Sequence, residues 1–343
     1  MNTYFIRTRY FSDEIKKLMK KNKWIEEGED IDIFTPKSKN FLPVDLFFVD
    51  SKYMFSNLSY HTNKSKIINV LSGNLVINIL TDKFNYNINM INMFPNMKKH
   101  IPISLSFNIY NIGNLIYFLD NKNLYIVKPQ FGYGGQGIKI ISNYNEVLNH
   151  IKDKDENWII QKYIKQPLLY KGYKFHFRTY LMVRKMNNKV NGFLYDKFWM
   201  YRAKKKYNLK NLDDEDIHIT NVSKGGKMIP GIKLKDEIGV KRFNKIKKDI
   251  EKISRKSIEM IKKMRLCREK YEDEPHICYE VLGVDYMVDE KDNVILLEFN
   301  TQVGYKKKPD KWKKEFLNSQ FSETVCKLFK NYKTEYNYFT KII

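Results

Sequence analysis

Residues 284–300 constrain the fold more than any other stretch. Val284-Asp285-Tyr286-Met287-Val288 and Val294-Ile295-Leu296-Leu297-Glu298-Phe299-Asn300 are two runs of strand formers. Between them lies the polar, turn-prone Asp289-Glu290-Lys291-Asp292-Asn293. A turn centred between Lys291 and Asp292 makes Asp285 the direct cross-strand neighbour of Glu298. Alternation along the strand puts Asn300 on the face of Glu298. Like charges facing each other destabilise a hairpin, so two carboxylates and an amide in apolar surroundings ask for a cation. Hard oxygen donors of this kind suit Mg²⁺, which takes few protein ligands. The plain alternative is one carboxylate solvated on an exposed face.

A second feature precedes it. Gly132, Gly134 and Gly137 satisfy GxGxxG, with Gly135 as a fourth glycine. A dinucleotide-binding turn needs a helix next, but β-branched Ile138-Lys139-Ile140-Ile141 follows, so the loop joins two strands. Glycine lets backbone N–H groups approach a phosphate closely, although the same residues also suit a bulged turn. No GxxxxGK[ST] occurs, and kinase HRD and DFG motifs are absent. Lys128 ends the incoming strand. A nucleotide held between two sheets follows, with Gln161-Lys162-Tyr163-Ile164 as the edge for adenine.

The chain has 343 residues, 43% hydrophobic and 15% aromatic, which is globular and large enough for two or three cores. No run of about 18 apolar residues predicts a membrane span, and the N-terminal residues lack the apolar core of a signal peptide. Cys267, Cys278 and Cys326 show no CxxC spacing, which argues against a zinc site or a disulfide framework and fits a reducing, cytoplasmic compartment. The net charge of +23 draws acidic partners. No nucleic-acid-binding signature accompanies it, so no nucleic acid partner is expected.

Strands are expected at Tyr4–Arg7, Val44–Val49, Leu124–Val127, Ile138–Ile141, Trp158–Ile164, Phe175–Val183 and Gly192–Tyr201. Helices are expected at Asp13–Lys21, capped by Ser12, around Leu75–Leu80, at Asn143–His150, and at about Trp312–Phe329. A long helix is expected over Asp236–Arg265, where Phe243, Ile246, Ile250, Ile253, Ile261 and Met264 recur at helical spacing. Lys and Arg crowd its other face, as a solvated surface or as a track for an acidic partner. These elements divide the chain into an N-terminal α/β unit (1–70), a central unit with the glycine loop (71–165) and a C-terminal unit with the carboxylate hairpin (166–343).

Taken in order, several pieces resemble the tubulin–tyrosine-ligase-like family of ATP-grasp enzymes. They are Lys128-Pro129, Gly135-Gln136-Gly137-Ile138, Gln161-Lys162-Tyr163-Ile164, Pro167-Leu168-Leu169, Lys174-Phe175-His176-Phe177-Arg178, Tyr201-Arg202, His218-Ile219-Thr220-Asn221, Asp285 and Leu297-Glu298-Phe299-Asn300. The resemblance spans about residues 70–330. It implies an α/β ATP-grasp fold, with the nucleotide between two antiparallel or mixed sheets and a small N-terminal α/β domain. It implies that Lys128, Gly134, Gly135, Gln136, Gly137 and Ile138 hold ATP phosphates. Gln161, Lys162, Tyr163 and Ile164 would hold adenine, with Lys174, Thr220 and Asn221 also on the cofactor. Asp285, Glu298 and Asn300 would bind Mg²⁺, and His176, Arg178 and Arg202 would line the substrate pocket, with Lys174, Arg178 and Arg202 catalytic.

The implied reaction joins an amino acid, glutamate favoured with tyrosine or glycine open, to a carboxylate of an acidic protein tail such as tubulin's, through an acyl phosphate. A cytoplasmic, microtubule-associated setting goes with it. Three departures stand out. His176 replaces the family's usual Asp, Val303-Gly304 replace the Pro-Ser after Asn300, and the family's earlier lysine, in a Thr-Arg-Lys-Asp-like helix start, aligns with Asn74. They keep open a second reading, an inactive relative that binds acidic tails.

Overall fold

The computed structural model describes residues 2–7, 12–26, 45–49, 66–68, 79–264, 277–300, 311–329, 334 and 337–343, apart from positions 121, 133, 153, 155 and 188. Asn74, Arg265, Val303, Gly304 and most of Leu75–Leu80 lie outside them.

Four strands open the fold: β1 (Thr3–Arg7), β2 (Ile25–Glu26), β3 (Leu46–Val49) and β4 (Ile67–Ile68), paired in parallel. The helix Ser12–Lys21 follows β1, with Asp13 and Glu14 in its first turn and Lys20 and Lys21 in its last, as the helix dipole favours. Next, β5 (Ser104–Phe107), β6 (Tyr125–Pro129), β7 (Lys139–Ile141) and β8 (Trp158–Lys162) form an antiparallel sheet in the order β5-β8-β6-β7. The helix Tyr144–Ile151 packs on it, started by Asn143, whose side chain accepts the Glu146 N–H.

The second sheet is larger. It contains β9 (Leu169–Tyr170), β10 (Tyr173–Met186), β11 (Lys189–Tyr195), β12 (Trp199–Arg202), β13 (Lys227–Pro230), β14 (Ile277–Val288), β15 (Val294–Asn300) and β16 (Phe339–Lys341). β4 pairs in parallel with β14, so the N-terminal strands continue this sheet.

β10 is the spine. Phe175, Phe177, Leu181 and Val183 face the core under the helices Lys83–Met93 and Val240–Lys262, whereas Tyr180 and Met182 face the core under the helix Lys311–Glu323. Lys174, His176 and Arg178 share the parity of Tyr180.

Four expectations needed correction. The single strand over Gly192–Tyr201 is β11 and β12. Both pair with one edge of β10, but the register shifts by two residues between Leu181↔Leu194 and Arg178↔Trp199. The chain bulges out at Asp196, whose N–H donates to the Tyr338 carbonyl and whose carboxylate accepts the Thr340 hydroxyl. The helix expected from Asp236 is two, Leu234–Ile238 and Val240–Lys262, because Gly239 sits at φ 80°. The final helix likewise ends at Glu323 and restarts at Val325. Cys278 is disulfide-bonded, whereas the cysteine spacing argued against a disulfide framework, and Cys326 is free.

Candidate active site

The carboxylate hairpin forms as expected, but by a different geometry. The tip pairs Val288 with Val294 and Tyr286 with Leu296, which centres the turn on Lys291. Continued regularly, that register would oppose Asp285 to Leu297. A β-bulge between Asp285 and Tyr286 adds one residue on β15, and Asp285 then faces Glu298. The core positions record the shift. Val294 and Leu296 are buried in the core, and the next core residue is Phe299. Without the bulge Glu298 would point into that core, so the bulge aims it at the cleft.

The charges are balanced within the protein. Arg178 lies opposite Asp285 across β10 and β14 and binds it with two hydrogen bonds, Nε to Oδ1 and Nη2 to Oδ2. Burial raises the Asp285 pKa, but Arg178 and His176 outweigh it and hold the carboxyl below its usual value. Lys83 Nζ stands 3.5 Å from Glu298. The Asn300 amide donates to Asp285 Oδ2 at 3.3 Å and Glu298 Oε1 at 3.5 Å. Repulsion between the two carboxylates is therefore met by Arg178 and Lys83, and by itself does not require a metal. Among the described residues no group of three or more His, Cys, Asp or Glu side chains gathers around a point.

Opposite lies the glycine hairpin between β6 and β7. Gly134, Gly135 and Gly137 have φ of 68°, 79° and 69°, a region costly for any other residue. The loop rests on the segment after His218. A Cβ at Gly135 would meet Ile219 at 3.0 Å, and Ser223 Oγ donates to the Gly134 carbonyl at 3.1 Å. His150 Nε2 donates to the Gly137 carbonyl at 2.9 Å, which fixes the exit of the loop.

Lys83 ties the loop to the hairpin, donating to the carbonyls of Gln130 and Gly132 at 3.4 and 3.3 Å. It is the first residue of the helix Lys83–Met93, which Asp82 caps by accepting the N–H groups of Phe84 and Asn85. Asp82 also accepts the Gln130 amide at 2.6 Å. Thr81-Asp82-Lys83 thus places a buried lysine on the cleft at a helix start, nine positions after Asn74. The signal was an N-cap aspartate followed at once by lysine, with Asp82 where the family pattern has arginine.

The remaining wall is a hydrogen-bonded chain. Lys174 Nζ donates to Tyr163 Oη at 2.9 Å, and Tyr163 Oη lies 2.9 Å from His218 Nδ1. His218 Nε2 donates to the Asn211 carbonyl at 2.9 Å, so the neutral ring accepts the Tyr163 proton at Nδ1. Burial lowers the pKa of His218 and of His176. His176 Nδ1 is 2.5 Å from Thr220 Oγ1, and its Nε2 has no hydrogen bond, 3.6 Å from Asp285. Burial, aided by Lys83, pushes Lys128 down to about 8, and burial with Lys128 pushes Lys174 down to about 7.

These parts surround one cleft between the two sheets, open to solvent on one side. Lys128, Gly134, Gly135, Gln136, Ile138, Gln161, Lys162, Tyr163, Ile164, Lys174, His176, Thr220, Asn221, Asp285 and Glu298 all line it, with Lys83 and His218 besides. Gly137, Arg178, Arg202 and Asn300 do not. Arg178 is turned onto Asp285, and the Arg202 guanidinium stacks 3.7 Å over the Tyr173 ring.

Two sheets closing on a glycine hairpin define an ATP-grasp fold. The C-terminal domain of K. lactis Pby1, titled an ATP-grasp enzyme that interacts with the mRNA decapping enzyme Dcp2, superposes over 100% of this chain and 99% of its own, with TM-score 0.68 and 18% identity. Residues 94–308 match the family described as the Tubulin-tyrosine ligase family, and the chain belongs to it. Similar proteins include Tubulin glycylase 3C of Tetrahymena thermophila, 29% identical over 52% of this chain and 18% of that protein. Tubulin monoglycylase TTLL3 of Mus musculus is 33% identical over 34% and 13%, and Tubulin polyglutamylase TTLL7 of Mus musculus 30% identical over 51% and 21%. The chain therefore spans about a fifth or less of these relatives' length. Among the described residues no helix is long and apolar enough to cross a membrane.

Proposed function

We propose that this chain is an ATP-dependent ligase that joins an amino acid to a carboxylate of an acidic protein tail, with tubulin as acceptor and a cytoplasmic, microtubule-associated setting. One observation carries the reading: Lys83, Lys128 and Lys174, all buried, converge with the glycine loop on a facing pair of carboxylates. The net charge of +23 supports an acidic acceptor. Glutamate is the amino acid favoured by the sequence, and the glycylases among the relatives support glycine beside it.

Asp285, Glu298 and Asn300 offer hard oxygen donors on adjacent strands. A carboxylate has about four lone-pair sites, so the pairing of Asp285 with Arg178 leaves room for a further ligand. The set fits Mg²⁺, which would supply charge to offset phosphate oxygens. The protein's own residues do the rest. Lys83 and Lys128 bring positive charge to the phosphates, and the loop glycines bring backbone N–H groups. Gln161–Ile164 give the edge for adenine. Arg178 holds Asp285 in place, and His176 and Thr220 shape the neighbouring pocket. In the reaction, an acceptor carboxylate oxygen attacks the γ-phosphorus as ADP leaves. The amine of the amino acid then displaces phosphate from the acyl group. Such transfer rests on positioning and charge stabilisation.

Incubation with ATP, Mg²⁺, tubulin and each labelled amino acid tests the reading. Transfer of labelled glutamate or glycine is expected. If no label transfers while tubulin stays bound, the ligase is excluded and a tail-binding module takes its place.

Two further outcomes follow. Lys83→Met should weaken ATP binding about tenfold or more through loss of a charged phosphate partner. Unchanged binding by calorimetry would remove Lys83 from the phosphate site. At pH 8 Lys128, at about 8, is about half protonated and Lys174, at about 7, is mostly neutral. A bound triphosphate favours their charged forms, so ATP binding at that pH should take up about one proton. Calorimetry in buffers of different ionisation enthalpy measures it, and zero uptake would contradict the assignment.

A further inference from the structure

β12 leads at Ala203 into a loop that carries Lys204 and Lys205 and returns through Asp213-Asp214-Glu215-Asp216. These four consecutive carboxylates are each held by lysine. Asp213 lies 3.5 Å from Lys139 on β7, Asp214 2.8 Å from Lys205, Glu215 2.9 Å from Lys224, and Asp216 3.1 Å from Lys204. The lysines come from three parts of the chain and meet at the mouth of the cleft. Lys139 follows the lining residue Ile138, and Lys224 follows Asn221 by three positions. The acidic run leads directly into His218, Ile219, Thr220 and Asn221 of the cleft wall.

Each ion pair has one exposed partner and one half-buried partner. Asp213 keeps 79% of its side-chain surface, and Lys204 and Lys205 keep 59% and 54%. Solvent screening leaves such pairs little net stability. The loop is held by other bonds: the Lys205 N–H donates to the Asp216 carbonyl at 2.8 Å, and Asp214 caps the turn Glu215–His218. The lysines are therefore free to exchange one set of carboxylates for another without unfolding the loop.

We propose that Lys139, Lys204, Lys205 and Lys224 form a docking rim for an acidic peptide, and that residues 213–216 occupy this rim as an internal surrogate that the peptide must displace. The inference deepens the ligase reading by naming where the acceptor chain docks and what competes with it. The spread of the lysines over three parts of the chain argues for a polypeptide rather than a compact anion, since four consecutive residues of the chain itself occupy them, with Lys205 shared between Asp214 and Asp216.

The test is binding of a fluorescein-labelled glutamate decapeptide by anisotropy without ATP, so its result is independent of label transfer by the wild-type protein. Asp213→Asn with Glu215→Gln frees Lys139 and Lys224 and keeps the Asp214 cap. It should bind the peptide about fivefold tighter, the size of two such pairs. Lys204→Gln with Lys205→Gln and Lys224→Gln should bind about tenfold weaker or worse, with a flatter salt dependence. Circular dichroism checks that both variants are folded, since an unfolded chain of net charge +23 or more would also bind a polyanion. If the first variant binds no tighter than wild type, or the second no weaker, the rim is not the docking site. Tighter binding of a single-stranded oligonucleotide than of the peptide would assign the lysines to nucleic acid and overturn the proposal. Binding as expected without any label transfer would leave the rim standing and remove the ligase reading alone.

Discussion

Glu298→Gln should reduce amino-acid transfer about 10²–10³-fold, the loss seen when one electrostatic partner is removed from a transition state. The substitution keeps shape and removes charge. Glu298 keeps 25% of its side-chain surface and sits on the cleft side of the β15 bulge, so the fold should survive. Two interactions go together, the proposed carboxylate donor to Mg²⁺ and the partner of Lys83 Nζ. They separate by titration. Loss of a metal donor moves the Mg²⁺ concentration needed for half-maximal rate upward, whereas loss of the Lys83 contact alone leaves it in place. A variant with wild-type rate and wild-type Mg²⁺ dependence would take Glu298 out of the site.

The pairing of Asp285 with Glu298 was legible in the sequence, but the reason given for it was incomplete. A turn centred between Lys291 and Asp292 predicts the pair with no irregularity. The actual turn centres on Lys291, helped by Asp292 at φ 64° and by Asp289, which accepts the N–H groups of Lys291 and Asn293. The bulge then restores the pairing. Bulges leave little mark on a sequence, and here the extra residue, Leu297, merely repeats its neighbour Leu296. The two-sheet fold was legible because β-branched runs flank the glycines. The Gly239 break was present in the letters, but helical spacing on both sides masked it.

Lys83 was missed for another physical reason. Its role depends on burial against Gln130, Gly132 and Glu298, residues 47, 49 and 215 positions away. Local pattern offers only the N-cap. Arg178 shows the opposite case, a residue found by pattern whose place differs from its expected role. It is turned away from the cleft and spends its guanidinium on Asp285. His176 stands beside this pair as a buried imidazole with a lowered pKa, at the position where the resemblance leads one to expect a carboxylate. A third carboxylate there would add repulsion to Asp285, so the substitution lightens the negative charge that Arg178 has to balance.

That balance gives the largest expected effect on stability. Arg178→Leu should destabilise the fold by about 3–5 kcal/mol at neutral pH, because it leaves the buried Asp285 carboxylate without its bidentate partner. The pH dependence follows from direction. In the wild type the folded-state pKa of Asp285 is depressed, so its contribution is present above the unfolded value near 4 and is lost as pH falls through the folded value. Without Arg178, burial becomes the larger influence and the folded pKa rises above the unfolded one. The variant then gains relative to wild type on acidification, as the folded state takes up the proton first. Urea midpoints at pH 7.5 and pH 5 should show the gap narrowing. Adding Asp285→Asn to the variant should recover part of the loss, since the unpaired charge and not the missing contact carries most of it. A loss below about 1 kcal/mol at neutral pH, or no recovery in the double variant, would mean that water or His176 already satisfies Asp285 and that Arg178 is free for the substrate after all.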